Sequence, residues 1–124
     1  MRKIIELNNG DINVLNGPDE TLICGLTMGA DGGIGASYNI MPEKFKEVYD
    51  KFQAGDFNRA REVQFEINRI ISIVIKYDLI PAIKCILESK GFYVGFAERP
   101  GKRFSGSQKF NLLKELTRLG FYND

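Results

Sequence analysis

Two adjacent carboxylates, Asp19 and Glu20, are the side chains of this sequence whose placement most favours chemistry. They follow residues Ile12–Leu15, which predict a short strand, and they begin a helical segment. Successive helical residues point about 100° apart, so the two carboxylates are poorly placed to share one proton transfer. Two interpretations stay open. The carboxylates either stabilise the helix start through its dipole, or they accept hydrogen bonds from different hydroxyls of a polyol. The end of a parallel strand is where α/β folds bind ligands, which suits the second interpretation.

A glycine-rich segment follows, with glycines at positions 29, 32, 33 and 35. Such density indicates close backbone approach or unusual backbone dihedrals. The dinucleotide motif GxGxxG needs a third glycine where this chain has Tyr38, and no GxxxxGK[ST] sequence occurs. We therefore interpret the segment as a strand end that lies so close to bound substrate that only backbone can line it.

Histidine is absent from the chain, which excludes a histidine general base, a Ser-His-Asp triad and histidine-ligated metal. The two cysteines, Cys24 and Cys85, form no CxxC spacing, so zinc and thioredoxin-like sites are also disfavoured. We predict two reduced, buried thiols in a cytoplasmic protein. No catalytic residue, metal or cofactor is assigned from the sequence.

The chain has 124 residues, enough for one domain, and its 17 basic and 16 acidic residues give a net charge of +1. Such a balance predicts neither nucleic acid nor an anionic membrane as a partner. The short basic segment Arg99–Arg103 is interpreted as a solvated loop. No stretch approaches the ~20 consecutive apolar residues that a membrane span needs.

The order of predicted elements is a helical start, two β-α units and three helices. Residues 1–55 hold the two units, whose strands are expected to be parallel with right-handed crossovers, and residues 56–124 form a helical extension. The second unit's strand is predicted to run from Gly33 to Ala36, and Asp56, Asp78 and Ser105 or Ser107 are predicted to cap the three later helices. Two short parallel strands do not make a sheet that stands alone, so the sequence looks like the end of something larger.

Two motifs carry a resemblance to a known family. The sequence Leu15-Asn16-Gly17-Pro18-Asp19-Glu20, followed by Gly29-Ala30-Asp31-Gly32-Gly33-Ile34-Gly35-Ala36-Ser37-Tyr38-Asn39-Ile40, resembles the N-acetylneuraminate (sialic acid) lyases. These belong to the dihydrodipicolinate synthase-like class I aldolases, which are (β/α)8 barrels with a C-terminal helical extension. The resemblance implies an α/β fold that is predominantly helical, with the last two βα units of a TIM barrel and a three-helix extension.

The resemblance also implies a binding site. In the family the last two barrel strands and their loops hold the polyhydroxy tail of the sugar acid. Carried over, the substrate contacts are Gly17, Asp19 and Glu20. The family's serine after the last glycine corresponds to Ala36, which is therefore the fourth predicted contact. Ser37 is the next residue and is expected to point to the opposite face of the strand.

The family's chemistry uses a sixth-strand lysine that forms a Schiff base, a fifth-strand tyrosine and an early carboxylate-binding turn. None of these matches a residue here, so the resemblance implies a C-terminal fragment. The expected parent reaction is retro-aldol cleavage of N-acetylneuraminate to N-acetylmannosamine and pyruvate, with the sugar acid bound only in an intact parent. The alternative is a non-catalytic helical assembly or interaction module derived from the aldolase fold.

A further expectation concerns self-association. Two strands without neighbours would leave open edges, and the inner faces of the first two full helices would lose their sheet. A homo-oligomer is therefore expected to cover them. The residues expected to face water in a monomer are Leu22, Ile23, Leu26, Phe45, Val48 and Phe52.

Overall fold

The computed structural model describes residues 2–95 and 104–122, so the basic segment Arg99–Arg103 lies outside the described residues. Within these ranges, six helices and two strands follow one another, with 3₁₀ turns between several of them. In chain order they are α1 (Arg2–Ile5), β1 (Leu15–Asn16), α2 (Leu22–Thr27), β2 (Gly32–Gly33), α3 (Pro42–Gln53), α4 (Phe57–Lys76), α5 (Leu79–Ser89) and α6 (Gly106–Arg118). The 3₁₀ turns are Leu7–Gly10, Asp19–Thr21 and Ser37–Asn39. The described part is therefore mostly helical.

The chain forms two compact units, Met1–Ile67 and Asn68–Asp124, which are called unit 1 and unit 2 below. The division between the units lies within α4, after Ile67, whereas the sequence predicts a boundary between residues 55 and 56. A folding boundary between residues 55 and 56 stays a prediction.

The two strands of unit 1 pair in parallel, with Leu15 opposite Gly32 and Asn16 opposite Gly33. The predicted direction is confirmed, but the predicted lengths are wrong. Before β1, the Val14 amide donates to the Asp31 side-chain carboxylate at 2.7 Å and not to a backbone carbonyl, although the Val14 carbonyl still accepts from the Asp31 amide at 2.8 Å. After β2, the backbone turns into the 3₁₀ helix that begins at Ser37. The ladder therefore spans two residues on each strand.

Helix α2 lies very close to β1 because Gly25 has no side chain. A Cβ at Gly25 would come within 2.5 Å of the Asn16 amide oxygen. Asn16 is only 4 % exposed, and its Nδ2 donates to the Pro18 carbonyl at 2.7 Å. The buried amide is thereby satisfied while it fills the space that Gly25 leaves open.

The apolar faces of α2 and α3 are buried within unit 1, contrary to the expectation that they face water. Ile23 and Phe52 keep partial exposure. The buried members of the expected set are Leu22, Leu26, Phe45 and Val48. The expectation was wrong because α2 and α3 pack against each other, and α2 also packs against the two strands. Exposed faces of α2 and α3 therefore no longer support self-association. The homo-oligomer stays a prediction.

The ring of Tyr38 stacks on Phe45 with centroids 3.7 Å apart and planes 8° from parallel. Its hydroxyl is buried without a hydrogen-bond partner among the described residues. Burial, and to a smaller extent the Asp19 carboxylate, raises the pKa of Tyr38 to about 12. A Cβ at Gly33 would overlap the Tyr38 hydroxyl, so this part of the core depends on glycine in β2.

Unit 2 has its own apolar centre, to which α5 contributes Ile83 and Ile86 and α6 contributes Leu112 and Leu116. Ser105 begins α6 with a capping box, in which its hydroxyl accepts from the Gln108 amide at 3.2 Å. This confirms one of the two predicted caps for α6.

The other two predicted caps have different outcomes. The Asp56 carboxylate accepts from the Arg59 amide at 3.2 Å, as expected for a cap of α4. Asp78 precedes α5 but its side chain makes no cap bond, because its backbone lies in the left-handed region at φ 70°. Separately, within residues 2–95 and 104–122 no helix combines the length and apolarity needed to cross a membrane.

We predict that Gly25→Ala destabilises the chain by about 1–3 kcal/mol, because the new methyl overpacks the buried Asn16 side chain. Gly17→Ala is the matched control in the same unit, since a Cβ there would meet no atom within 4 Å in the described part of the chain. Its free energy of unfolding is expected to stay within about 0.5 kcal/mol of wild type. Urea unfolding followed by circular dichroism measures both, and equal stabilities would contradict the close approach.

We predict that Tyr38→Phe keeps or raises stability at pH 7, by up to about 1 kcal/mol, because it removes a buried hydroxyl without a partner. Tyr77→Phe is the contrasting variant, since the Tyr77 hydroxyl donates to Glu115 at 2.5 Å and its loss should lower stability.

The stability of Tyr38→Phe should also depend on pH differently from that of wild type. Because the folded pKa of Tyr38 lies above its ordinary value of 10.0, its contribution is complete below pH 10 and is lost as pH rises toward 12. Stability should therefore fall less steeply above pH 10 in Tyr38→Phe than in wild type. Parallel pH profiles from urea unfolding at pH 9–11 would refute this assignment.

Candidate functional site

The candidate site lies on two loops that follow the carboxyl ends of β1 and β2. The first runs from Asn16 into the 3₁₀ turn Asp19–Thr21, where the Thr21 amide donates to the Pro18 carbonyl at 3.2 Å. Asn16 also donates to this carbonyl from its side chain. The turn therefore has a defined shape, set by its own backbone and by one buried amide.

The Asp19 carboxylate joins the first loop to the second. It accepts from the Ser37 backbone amide at 2.8 Å, and it also accepts a short hydrogen bond from the Ser37 hydroxyl. Ser37 is fully buried. Bonds to an ionised acceptor are stronger than neutral ones, so this contact is an effective clasp between the loops. The close fit also needs Gly35, because a Cβ there would overlap the Asp19 carboxylate.

Gln64 of α4 holds the same turn from its backbone side. Its Nε2 donates to the Asp19 carbonyl at 3.2 Å, and its Oε1 accepts from the Ile23 amide at 3.1 Å. The side chain is only 2 % exposed. Gln64 was not predicted from the sequence, although the sequence holds a signal for it. Gln64 is a polar residue among the apolar positions of α4, next to Val63 and three residues before Ile67.

The four residues predicted to contact substrate, Gly17, Asp19, Glu20 and Ala36, lie on these two loops. Gly17 and Glu20 are exposed, whereas Asp19 and Ala36 are partly buried. A Cβ at Gly17 would meet no atom of the described residues within 4 Å, so the space that they leave beside it is open. The clasp brings Asp19 beside the turn that holds Ala36. A role of these residues in binding stays a prediction, and the structure adds that one Asp19 oxygen is already used within the chain.

Unit 1 also has an apolar groove of about 400 Å³, which is lined by Leu22, Gly33, Tyr38, Pro42, Phe45, Lys46, Tyr49 and Asp50. Its wall is mostly apolar and aromatic, so it does not suit a polyhydroxylated ligand. The raised pKa of Tyr38 keeps that hydroxyl protonated at neutral pH, so the groove offers no base there.

The cysteines only partly match their prediction. Both are free thiols, but Cys24 is exposed, which corrects the expectation that both are buried. Cys85 is buried, and desolvation raises the pKa of its thiol, which makes it a poor nucleophile. Across the described ranges 2–95 and 104–122, no group of three or more acidic or cysteine side chains could hold a metal ion.

Comparison with known proteins places the chain in a family. The profile of the dihydrodipicolinate synthetase family matches residues 1–118. N-acetylneuraminate lyase 2 of Escherichia coli O6:H1 is 34 % identical over 110 residues, which cover 87 % of this chain and 35 % of that protein. The N-acetylneuraminate lyase of Rhizobium meliloti is 38 % identical over 93 residues, which cover 75 % of this chain and 31 % of that protein.

The fold is similar to those of solved structures of the same kind. The N-acetylneuraminate lyase of Proteus mirabilis superposes with a TM-score of 0.87 at 25 % identity, covering 97 % of this chain and 41 % of that one. The sialic acid aldolase of Ruminococcus gnavus gives a TM-score of 0.87 at 26 % identity, covering 95 % and 40 %. This chain therefore spans about a third of the length of the curated relatives. The solved neighbours are TIM-barrel aldolases, and the described part is consistent with a partial barrel of that type. Because the family profile covers nearly the whole sequence, the chain belongs to the dihydrodipicolinate synthetase family.

Proposed function

We propose that this chain forms the C-terminal, sugar-binding part of an aldolase of the N-acetylneuraminate lyase type. In the parent reaction, a lysine amine condenses with the keto group of the sugar acid and releases water. The carbon–carbon bond between the pyruvate part and the sugar part then breaks, and the electron pair passes into the imine. The hydroxyl on the sugar side of that bond loses its proton and becomes the aldehyde of N-acetylmannosamine. The enamine left on the lysine takes up a proton, and water hydrolyses the resulting imine to release pyruvate and the free lysine. The lysine is assigned to no residue of this chain.

The observation that carries the proposal is the pair of loops at the carboxyl ends of β1 and β2. In TIM barrels this end of the strands is where substrates bind. The clasp between Asp19 and Ser37 fixes the two loops together, while Glu20 and the open space beside Gly17 face outward. An exposed carboxylate on a loop that also leaves open space at Gly17 suits the hydroxyls of a polyol. The names of the relatives support sialic acid as the sugar acid.

The loop arrangement also supports a division of roles within the parent. Contacts to the polyhydroxy tail lie away from the bond that breaks, so their main effect is on substrate affinity. Part of that binding energy also orients the substrate and raises turnover. We therefore assign Gly17, Asp19, Glu20 and Ala36 to binding and none of them to covalent chemistry.

A chimeric enzyme tests the proposal. The Rhizobium meliloti lyase is cut before its region of similarity to this chain, and its N-terminal part is joined to residues 1–124. The assay measures pyruvate released from N-acetylneuraminate. We expect measurable cleavage, and a chimera that folds as a barrel and forms the pyruvate imine but does not cleave N-acetylneuraminate would contradict the assigned substrate. If the 124-residue chain folds stably on its own but the chimera forms no imine, the result would favour the non-catalytic module.

Within this chimera, we predict that Glu20→Ala raises KM about 10- to 100-fold, which corresponds to the loss of about 1.5–3 kcal/mol for a hydrogen bond to a charged group. Gly17→Ala should also raise KM, because its methyl occupies the open space. Imine formation with pyruvate alone should stay unchanged in both variants. Glu62→Ala, which removes an exposed carboxylate on α4, is the control. An equal loss of imine formation would show that Glu20 shapes the barrel rather than binding sugar.

We predict that the 124-residue chain alone forms no imine with pyruvate. Borohydride reduction in the presence of pyruvate, followed by mass spectrometry, measures this directly. One specific lysine carrying a reduced adduct would show that the chain has its own Schiff-base site. The chimera, treated in the same way, serves as the positive control.

A further inference from the structure

Gln64 is an almost fully buried amide that serves one turn of the candidate site. An amide that is removed from water costs free energy unless both its donor and its acceptor find partners. Here the donor end bonds to the Asp19 carbonyl and the acceptor end bonds to the Ile23 amide. Both partners lie more than 40 residues earlier in the chain. The side chain therefore ties α4 to a distant loop.

The two partners of Gln64 lie on either side of Glu20. The Asp19 carbonyl belongs to the peptide group that links Asp19 to Glu20, so the bond from Nε2 fixes the plane of that peptide. The Ile23 amide belongs to the first turn of α2, where backbone donors have no partner within the helix. One side chain thus fixes the backbone both before and after the exposed carboxylate.

The Asp19 side chain fixes the same peptide from another direction through its clasp to Ser37. The turn is therefore held at a carbonyl by Gln64 and at a carboxylate by Ser37. Glutamine suits this place because its amide presents a donor and an acceptor together. An ionised glutamate has acceptors only, and leucine has neither, although both have a similar size.

We infer that Gln64 is a positioning residue for sugar binding, which acts by fixing the peptide that carries Glu20. This inference rests on the proposed function, because it assigns to α4 a role in the affinity of that same site. Substitution of Gln64 should therefore change KM for the sugar acid and leave imine formation unchanged, since Gln64 contacts the turn and not the reacting carbon.

The first test uses the 124-residue chain and needs no activity. Hydrogen exchange followed by NMR should show a protected Ile23 amide in wild type. Gln64→Leu should lower that protection at least 10-fold, whereas Gln53→Leu, a control at an exposed glutamine of α3, should not. Unchanged protection of Ile23 in Gln64→Leu would overturn the inference whether or not the proposed function holds.

The second test uses the chimeric lyase and the variant Gln64→Glu, with Gln53→Glu as the matched control. At pH 7.5 the KM of Gln64→Glu should exceed that of the control at least 10-fold, because an ionised glutamate cannot donate to the Asp19 carbonyl. Burial raises the pKa of a carboxyl group, and the protonated acid can donate. The ratio of the two KM values should therefore fall toward one as pH approaches 5, while Gln64→Leu shows no such recovery.

The outcomes separate the two proposals. If the unsubstituted chimera forms imine but does not cleave N-acetylneuraminate, the proposed function fails and the exchange experiment still decides the role of Gln64. If the chimera cleaves and the KM of Gln64→Leu matches that of Gln53→Leu at pH 7.5, the inference fails alone. A KM ratio that does not change with pH, or an equal fall in imine formation, would show that Gln64 serves packing instead.

Discussion

The hydrogen bonds of Asp19 are the interaction on which the rest of unit 1 depends. Its carboxylate accepts from the backbone and the side chain of Ser37, and its carbonyl accepts from Gln64. Three segments that are far apart in sequence therefore meet at one residue. The paired strands span only two residues each and contribute few bonds of their own. The position of the loops is consequently set by side-chain bonds more than by the sheet.

Close approach between backbone segments is the second constraint, and glycine makes it possible. Gly25 lets α2 approach Asn16, and Gly33 leaves room for the Tyr38 hydroxyl. Gly17 differs from these two glycines because no atom of residues 2–95 or 104–122 would lie within 4 Å of a Cβ there. The same residue type thus has two roles here. Inside the unit it permits packing, whereas at the site it leaves a surface uncovered.

Most of the features that depend on local chemistry were predicted from the sequence, with the cap of α5 at Asp78 as an exception. Pro42 begins α3, Ser105 caps α6, and Gly55 ends α3 at φ 78°. These signals act over a few residues, so they can be recognised in the sequence without knowledge of the tertiary structure. The family resemblance supplied the candidate site residues, and the structure shows that they lie on adjoining loops.

Features that depend on distant contacts were not predictable in this way. The shortness of both strands follows from the Asp31 side chain and from the turn at Ser37, neither of which alters the apolar pattern. The burial of α2 and α3 follows from their packing on each other. Gln64 bonds to residues more than 40 positions earlier in the chain, so the only sequence signal for it was a polar side chain among apolar positions.

The fit between Gly35 and Asp19 has a consequence for how sequences of this kind diverge. A side chain at position 35 and a carboxylate at position 19 compete for the same volume. Neither position is therefore free to drift while the other is kept, and a change at one must be accompanied or preceded by a change at the other. Among relatives the two positions should vary as a pair, with the aspartate retained where the glycine is retained. Such coupled variation would record the clasp in a set of sequences even where no structure is known.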